Sequence, residues 1–369
     1  MGLACGWRLA RTGAEVTLLD PRAAGAGATG ASLGALWPSS ALNDRPLQQL
    51  HRQSLWRFEA FVQDISAYAD MPISFSRLGH LEFLQNDKVA ARAAEESAAA
   101  CASWPVFGDA LPQMEVVPLQ WALQFQPGLA PLHTALRICR NTAQVHVPEL
   151  VAALRAACIK SGAELREHQP LTALESTGEH ITAARTAQET IPADAVLITA
   201  GAWSPLLSPI LRHAASIRPV KGQGLALAPP PGFHLRTIVK SGPIYLVPWQ
   251  TATRNEILVG STTEPEAGYD EMPTDVAREA LFAGACSLFP ALEKSQLLRH
   301  WVGLRPQNPA KSHPPLMGPH PTCKNLFLCT GHYKTGIGMA PLVSDLVAKT
   351  ILTGTPDPAL VPFVPHENR

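Results

Sequence analysis

The sequence predicts an α/β fold in which an antiparallel sheet is inserted into a parallel one. Residues 3–20 have the pattern of a helix, a glycine turn and a buried strand that ends in Asp20. Residues 193–201 form an apolar run ending in Gly201, as in a strand buried on both faces of a parallel sheet. Four strand-like segments follow one another between residues 216 and 263, which indicates an antiparallel sheet.

The remaining segments predict a chain that passes between two domains more than once. Residues 47–68 have the apolar spacing of one long helix, and residues 104–136 are proline-rich and predicted to wrap between domains. The other predicted elements are a strand at 79–84, helices at 88–103, 149–161, 274–288 and 338–352, a strand at 163–168, a β-meander to about 190 and a strand at 325–330. We therefore predict a discontinuous domain of residues 1–45, 143–215 and 300–369, and a second domain of residues 46–142 and 216–299.

The composition favours a globular protein with a small-molecule partner. Hydrophobic residues make up 46% of the chain and charged residues 16%. Lys and Arg together number 30, as do Asp and Glu, so no basic surface for nucleic acid is indicated. No apolar run reaches the roughly 18 residues that a transmembrane helix needs, so we expect no integral membrane segment. The composition is compatible with a homo-oligomer as well as with a monomer.

The cysteine pattern predicts neither a metal centre nor a disulfide framework. The chain has 7 cysteines, an odd number, and none of them forms a CxxC pair. A reducing compartment is the default for such a pattern, so we expect a cytoplasmic protein without a metal site.

The first residues match the second half of a dinucleotide-binding βαβ unit. A helix, a turn at Gly13, a strand and the terminal carboxylate of Asp20 follow one another. If Gly2 is the last glycine of a GxGxxG loop, the first strand and most of that loop lie before residue 1. We therefore expect Met1 to be a misplaced start or a fragment boundary. Alone, this segment also fits any helix, turn and strand that end in an acid.

An ordered set of motifs resembles the glycine oxidase / D-amino-acid oxidase family of flavoproteins along nearly the whole chain. The motifs are LARTGAEVTLLD (9–20), GATGASLGALWP (27–38), VHVPELVAAL (145–154), VLITAGAWSPLL (196–207), VKGQGLAL (220–227), YLVP (245–248), ILVGSTTEPEAGYD (257–270), WVGLRPQNP (301–309) and GHYKTGIGMAP (331–341). The resemblance implies an FAD-binding Rossmann-type domain, similar to that of glutathione reductase, and an inserted antiparallel-sheet substrate domain.

The resemblance also implies which residues hold FAD. Asp20 corresponds to the acid that binds the adenosine ribose, with a cap as the alternative interpretation. Trp203 fits a core aromatic as well as a cofactor contact. Gly336 precedes a predicted long helix that begins near Gly338. The positive N-terminal end of this helix would stabilise negative charge on the reduced flavin. The cofactor-binding residues implied are Gly2, Asp20, Ala28, Thr29, Gly34, Leu36, Ala200, Gly201, Trp203, Gly331, His332, Gly336, Ile337 and Gly338.

Three residues are implied in substrate binding and catalysis. Arg305 matches the family arginine that binds the substrate carboxylate through a bidentate pair. Tyr245 matches a tyrosine that reaches the same carboxylate, although a half-exposed strand tyrosine is the alternative. Lys334 stands where several relatives carry arginine. Lysine keeps the positive charge but lacks the planar guanidinium that forms a bidentate pair.

The chain departs from the family at two further places. Ala310 and Lys311 stand where relatives often have an acid, which would change the rim of the site. His146 replaces an acid before a Val-Pro turn, and we expect its role to be structural.

The resemblance implies oxidative deamination of a small amino acid or amine such as glycine, sarcosine or a D-amino acid, and a link to thiamine biosynthesis. Hydride transfer to flavin gives an imine, water hydrolyses the imine to a keto acid, and dioxygen reoxidises the flavin. Three alternatives stay open: a D-amino-acid dehydrogenase with an electron carrier, the flavin domain of a tRNA wobble-uridine modification enzyme, and a non-catalytic remnant that cannot hold FAD.

Overall fold

The structure is a computed structural model that describes residues 1–107, 113–133, 135–251, 254–310 and 312–366. Its helices are α1 (Gly2–Ala10), α2 (Pro46–Trp56), α3 (Phe58–Ala69), α4 (Asp87–Ser103), α5 (Leu119–Phe125), α6 (Val147–Lys160), α7 (Pro209–Ala214), α8 (Asp275–Leu288) and α9 (Gly336–Thr353). Short 3-10 helices lie at Gly201–Leu206, Pro265–Ala267, Pro290–Lys294 and Val361–Phe363.

The strands of the first half are β1 (Thr17–Asp20), β2 (Ala35–Leu36), β3 (Phe75–Ser76), β4 (His80–Phe83), β5 (Met114–Pro118), β6 (Ala135–Cys139), β7 (Ala143–Val145), β8 (Glu164–Glu167) and β9 (Ala173–Thr177). The later strands are β10 (His180–Arg185), β11 (Thr190–Pro192), β12 (Val196–Ile198), β13 (Arg218–Ala228), β14 (Ile238–Ser241), β15 (Ile244–Thr251), β16 (Arg254–Gly260), β17 (Gln296–Gln307), β18 (Leu316–Pro319) and β19 (Leu326–Thr330).

Two predictions about secondary structure are wrong. The single helix predicted over residues 47–68 is two helices, α2 and α3, separated at Arg57. Apolar periodicity continues across the break because both helices bury the same side, through Leu55 and Phe58. The proline-rich stretch 104–136 contains β5, α5 and the start of β6, whose apolar residues pack on the antiparallel sheet.

An eight-stranded sheet forms the larger half of the molecule, in the order β17-β13-β16-β15-β14-β4-β6-β5. One of its faces carries the largest hydrophobic cluster, in which residues such as Leu81, Leu225 and Val259 pack against α8. The opposite face has a smaller apolar cluster around Leu33 and Ala226. Successive side chains of a strand point to opposite faces of the sheet. The two clusters therefore contain alternate residues of the same strands.

Besides the parallel pair β14 and β4 of the large sheet, parallel strands lie in two separate sheets. Strand β1 pairs in parallel with β8, and β12 pairs in parallel with β19, which is flanked on its other side by the antiparallel β18. Helix α1 contacts both sheets. A Cβ added at Gly6 would lie 2.9 Å from Leu18 Cδ2 of β1, and one at Gly2 would lie 2.7 Å from Thr199 Oγ1, which follows β12.

Two smaller sheets complete the described fold. The predicted β-meander is the sheet β11-β10-β9, and a further sheet has the order β2-β7-β3. Strand β17 begins in the antiparallel sheet and runs across residue 300. The division of the chain into residues 1–45, 143–215 and 300–369 against 46–142 and 216–299 therefore stays a prediction at that boundary.

Helix α9 has the length and apolar composition of a membrane span, and it is the one candidate among the described residues. Over half of it, 56%, is buried inside the protein, where it packs against α1 and α2. Core helices of globular proteins pass the same test, so this is weak support for a span, and the absence of a membrane segment stays a prediction.

Candidate active site

Four glycines give the second face of the eight-stranded sheet a floor without side chains. Gly222 of β13 is the cross-strand partner of Gly303 of β17, and Gly224 of β13 is the partner of Gly260 of β16. Tyr245 of β15 is the next partner of Gly260. We call Gly222, Gly224, Gly260 and Gly303 the glycine floor. Its role is to let loops and large side chains approach the backbone closely.

Arg305 of β17 places its guanidinium over the glycine floor. A Cβ added at Gly222 would lie 2.1 Å from Nη1, so the position of the guanidinium requires glycine there. Nη1 donates to the Thr262 carbonyl at 3.0 Å, and Nη2 donates to Ser261 Oγ at 2.9 Å. Burial lowers the pKa of Arg305 from its ordinary value. The group has no carboxylate in an ion pair within the described chain, so it is a fixed cation ready for an anion.

Tyr245 stands beside the same guanidinium. Its ring meets Trp37 edge to face, with centroids 5.5 Å apart, and it hydrogen-bonds to Ser261, the hydroxyl that also accepts from Arg305. Burial raises the pKa of Tyr245, and the charge of Arg305 opposes that change. The phenol is therefore neutral and can donate a hydrogen bond to a bound carboxylate.

The C-terminal turn brings Lys334 to this position. Tyr333 has a φ of 50°, and its amide donates to the Pro306 carbonyl at 2.8 Å, which ties the turn to the residue after Arg305. The Lys334 side chain is exposed, and its Nζ lies 5.2 Å from the centre of the Tyr333 ring. Partial desolvation, then the charges of Arg305 and Lys240, lower the pKa of Lys334. The structure thus brings together the three residues predicted for substrate binding.

A neutralised ionic network continues the same row of side chains. Lys240 is the cross-strand partner of both Tyr245 and Glu82, and its Nζ donates to Glu82 Oε1 at 2.5 Å. Arg137 donates to Glu82 and to Glu96. Burial acts to raise the pKa of Glu82, but Lys240 and Arg137 outweigh it and lower that pKa to about 2. The two acids balance the two bases, so this network adds no net charge.

The glycine- and alanine-rich loop of residues 25–34 packs onto the glycine floor. A Cβ at Gly303 would lie 2.4 Å from the Ala31 Cβ and 3.9 Å from the Ala28 Cα. Trp301 Nε1 donates to the Ala31 carbonyl at 2.9 Å. This contact joins the loop predicted to bind cofactor, including Ala28 and its neighbour Thr29, to the sheet that carries Arg305.

Asp20 ends β1 as a half-buried carboxylate. Its Oδ1 accepts the Arg22 amide at 2.9 Å, and no ion pair to it is found in the described chain. Burial raises its pKa, and the Arg22 amide and charge oppose that rise. A carboxylate held at the end of a parallel strand without a cation has its second oxygen left for a ligand hydroxyl.

Two of the residues predicted to bind cofactor have clear structural roles. Gly34 has a φ of 79°, and a Cβ there would lie 2.1 Å from the Val145 carbonyl oxygen. Leu36 is 4% exposed and belongs to the core cluster that contains Trp7 and Val147. The side chain of Leu36 therefore packs in the core, and any cofactor contact would come from its backbone.

Ala200 precedes a 3-10 helix that follows β12 and contains Gly201 and Trp203. Gly201 has a φ of 56°, and a Cβ there would meet only Pro306, at 3.9 Å. The Trp203 ring has the Arg22 guanidinium 5.1 Å from its centre and the Tyr269 ring 6.0 Å away. It is half-buried, so it is not a pure core aromatic.

The turn from Gly331 to Gly338 leads into α9. Gly331 has a φ of 79°, and His332 is buried, with burial the first cause that lowers its pKa to about 3. The helix begins at Gly336, two residues before the predicted start, and Ile337 lies in its first turn, packed against the same core as Leu36. A Cβ at Gly338 would lie 2.9 Å from Leu55 Cδ2. Glycine at 338 is therefore needed to pack α9 on α2.

The comparisons decide the family. Residues 1–350 match the family model described as FAD dependent oxidoreductase. The chain belongs to this family. It is 35% identical to a glycine oxidase from Pseudomonas putida over 256 residues, 69% of this chain and 68% of that protein. It is 29% identical to a glycine oxidase from Geobacillus kaustophilus over 361 residues, 95% of this chain and 90% of that protein.

A solved structure agrees with this assignment. The crystal structure of the glycine oxidase from Geobacillus kaustophilus superposes with a TM-score of 0.88 at 26% identity, covering 100% of this chain and 96% of that chain. The α/β fold is therefore confirmed, with a large sheet that is mixed because β14 and β4 pair in parallel within it. The cofactor of this family is FAD. The prediction from the motifs that the protein is an oxidoreductase is confirmed as well.

The residues present in this FAD-dependent oxidoreductase fit its cofactor. Asp20 offers a free carboxylate oxygen for a ribose hydroxyl. Gly201 has open space where a side chain would stand, and Gly27 has its nearest neighbours at 3.9 Å, so backbone is accessible at both places. The amides of Gly336 and Ile337 begin α9 without an acidic side chain in the first turn, as suits the negatively charged end of a flavin ring. The individual cofactor contacts stay predictions.

The two departures from the family pattern lie in different places. His146 is buried, with its ring centre 3.9 Å from that of Trp249 and its Nδ1 2.9 Å from Glu149 Oε1. That packing supports the structural role predicted for it. Ala310 is exposed beyond the end of β17, and Lys311 lies outside the described residues.

Sequence reasoning missed the glycine floor, Trp37 and Ser261. The motifs VKGQGLAL, ILVGSTT and WVGLRP contain the four floor glycines, and β17 itself was not predicted as a strand. Glycines in the interior of strands, spaced by two in Gly222 and Gly224, signal close approach of another group. Ser261 follows the glycine of one of these motifs, but only the fold shows that it links Arg305 to Tyr245.

Proposed function

We propose that this enzyme oxidatively deaminates a small amino acid or amine, such as glycine, sarcosine or a D-amino acid, with dioxygen as the final electron acceptor. The observation that carries the proposal is the pairing of Arg305 with Tyr245 over a floor of glycines. The guanidinium is fixed by the Thr262 carbonyl and Ser261, and the phenol is held at the same serine. Support also comes from relatives named glycine oxidase.

Arg305 and Tyr245 would hold the substrate carboxylate from two sides. A buried guanidinium without an acidic partner gains a charge-assisted hydrogen bond when a carboxylate arrives, and the neutral phenol can donate a second one. Once the carboxylate is fixed, rotation of the small substrate is restricted, which places its Cα–H and its nitrogen in one orientation.

FAD, when bound, supplies a two-electron acceptor for the hydride that leaves the substrate carbon. The residues of this chain supply orientation and charge. The loop of residues 25–34 packs on the glycine floor, and Gly201 and Tyr333 both contact Pro306, the residue after Arg305. A cofactor held by Asp20, Gly201 and the start of α9 would therefore lie near Arg305. An apolar cluster that includes Leu33, Trp37 and Trp301 would limit the access of water to the bound substrate.

The place of the reaction in the cell is also part of the proposal. A relative from Synechocystis, 28% identical over 95% of this chain and half of its own length, is named bifunctional protein ThiO/ThiG, which supports a role in thiamine biosynthesis. The seven cysteines are all unpaired, which supports a reducing compartment, and we place the enzyme in the cytoplasm.

Spectroscopy with defined substrates tests the proposal. The purified protein, loaded with FAD, is mixed anaerobically with glycine, sarcosine or D-alanine while the visible flavin band is followed. We expect bleaching with at least one of them, then recovery of the band and one equivalent of peroxide when air is admitted. Bleaching without peroxide, with recovery on adding a dye acceptor, would indicate a dehydrogenase. FAD-loaded protein that none of the three reduces would refute the proposal.

A further inference from the structure

Residues 261–274 connect β16 to α8, and they run from the Arg305 site to the ends of the parallel strands β1 and β12. We call this segment the strap. At its start, Ser261 Oγ and the Thr262 carbonyl accept from the Arg305 guanidinium, at 2.9 and 3.0 Å. Its far end contacts residues that follow β1 and β12. The strap therefore joins the sheet that carries Arg305 to the parallel strands.

Two buried polar side chains of β13 fix the strap in place. Lys221 is 1% exposed, and its Nζ donates to Asp270 Oδ2 at 2.6 Å and to the Met272 carbonyl at 2.7 Å. Gln223, which is as deeply buried, donates to Thr274 Oγ1 at 3.1 Å and accepts the Thr274 amide at 2.9 Å. A buried ammonium that lost its partners would be left uncompensated, at a high cost in free energy. Asp270 and Met272 are therefore fixed points of the strap.

The residues that alternate with these fixed points, Tyr269 and Glu271, form the tip of the strap. The Tyr269 hydroxyl donates to the Ala202 carbonyl at 2.8 Å, and Glu271 Oε1 accepts from Arg22 Nη1 at 3.0 Å. Arg22 follows β1 and Ala202 follows β12, two strands that belong to separate sheets. The tip thus fastens the ends of two sheets to one segment.

The tip lies beside the positions predicted to hold FAD. The centre of the Trp203 ring lies 5.1 Å from the Arg22 guanidinium and 6.0 Å from the Tyr269 ring. A Cβ added at Gly27 would lie 3.9 Å from the side chains of both Arg22 and Trp203. The Arg22 amide also donates to Asp20, the carboxylate predicted to bind the ribose. The tip, the glycine-rich loop and the end of β1 therefore meet at one place.

We propose that the strap retains FAD. Its tip closes the adenosine and pyrophosphate end of the cofactor site, so FAD leaves only after Tyr269 and Glu271 detach. The tip can open by itself, because Tyr269 is 40% exposed and the side chains of Arg22 and Glu271 are 41% and 46% exposed, whereas the Lys221 anchor is buried. This inference goes beyond the proposed function and does not depend on which amine the enzyme oxidises.

The rate of FAD release tests the inference. FAD-loaded protein is diluted to a concentration below the Kd for FAD, and the rise in flavin fluorescence is followed as FAD leaves. Tyr269→Phe removes one hydrogen bond and should make release about three- to tenfold faster. Glu271→Gln weakens an exposed ion pair and should make release about two- to fivefold faster. The effect of Glu271→Gln should shrink in about 1 M salt, which screens the same pair in the unaltered protein.

Two matched variants serve as controls. Glu266→Gln removes the same charge from an exposed position of the same strap, outside its tip. Tyr68→Phe removes a hydroxyl that accepts from Ser161 Oγ at 3.0 Å, at the end of α6. Both controls should release FAD at the rate of the unaltered protein.

The outcomes decide between retention and a purely structural strap. FAD release at the unaltered rate in both tip variants overturns the inference, even if their Tm falls, because the tip would then only stabilise the fold. Equal acceleration in Glu266→Gln and Glu271→Gln also overturns it, because net charge and not the contact with Arg22 would set the rate. Faster release in the tip variants alone, with the Tm of the FAD-free protein unchanged, supports it.

Discussion

The two sheet regions of the molecule differ in continuity. The large sheet runs unbroken through eight strands, which are antiparallel except for the pair β14 and β4, whereas β1 and β8 form a separate parallel sheet and β12 and β19 are the parallel pair of another. Within the described residues, β1 and β12 each have a hydrogen-bonded neighbour on one side only. Helix α1 lies against both of these edges, through Gly6 and Gly2.

This difference separates the determinants of substrate binding from those of cofactor binding. In the continuous sheet, strand register alone aligns one row of residues, namely Glu82, Lys240, Tyr245, Gly260 and Gly224. In the parallel region, the groups that face the cofactor are a strand-end acid, glycine turns and the first turn of α9. We therefore expect changes in the two regions to affect different measurements.

The largest effect is expected at the glycine floor. Gly222→Ala places a Cβ where the Arg305 guanidinium lies, only 2.1 Å from Nη1, so the guanidinium must move. Misplacing a substrate-binding group by about 1 Å can cost on the order of 100-fold in rate, and we expect kcat/KM to fall by about that factor. The FAD content should stay the same, because the contacts of Asp20 and α9 are unchanged.

Gly178→Ala serves as the control for this variant. Gly178 has a φ of 61° in the turn between β9 and β10, with open space around it, so alanine there adds backbone strain far from the cleft. It should lower the stability by about 1 kcal/mol and leave kcat/KM unchanged. If Gly222→Ala loses FAD along with activity, the proposed independence of the two regions is wrong.

A smaller effect is expected at the end of β1. Asp20→Ala removes the carboxylate that we assign to the ribose, which should weaken FAD binding roughly 10- to 100-fold, as for other charge-assisted hydrogen bonds. With FAD in excess, kcat should be unchanged. Fluorescence quenching of FAD measures the affinity, and Glu15→Ala, at an exposed position nearby, is the control. An unchanged Kd in Asp20→Ala would assign Asp20 only to its bond with the Arg22 amide.

The sequence singled out candidate site residues more readily than the connections that build the site. Arg305, Tyr245 and Lys334 each fall in a motif that strongly resembles the family, and their roles stay predictions. The strand that carries Arg305 was not predicted, since Gly303 and Pro306 interrupt its alternation. The bridge through Ser261 could not be read from sequence either, because it depends on the register of β15 and β16, which long-range pairing sets.

The smallest predicted effect concerns the stability of the antiparallel sheet in acid. Lys240 and Arg137 outweigh burial and lower the pKa of Glu82 from 4.5 to about 2. A carboxyl whose pKa is lower in the folded state stabilises that state above its unfolded pKa, and the contribution is lost as the pH falls. The difference in Tm between the unaltered protein and Glu82→Gln should therefore be a few degrees at pH 6 and should shrink between pH 4.5 and 2. Glu82 lies in the row that contains Tyr245 and is not among the residues that we assign to FAD binding. The FAD content of Glu82→Gln should therefore equal that of the unaltered protein. A Tm difference that stays constant down to pH 2 would show that Glu82 contributes through packing and not through its charge.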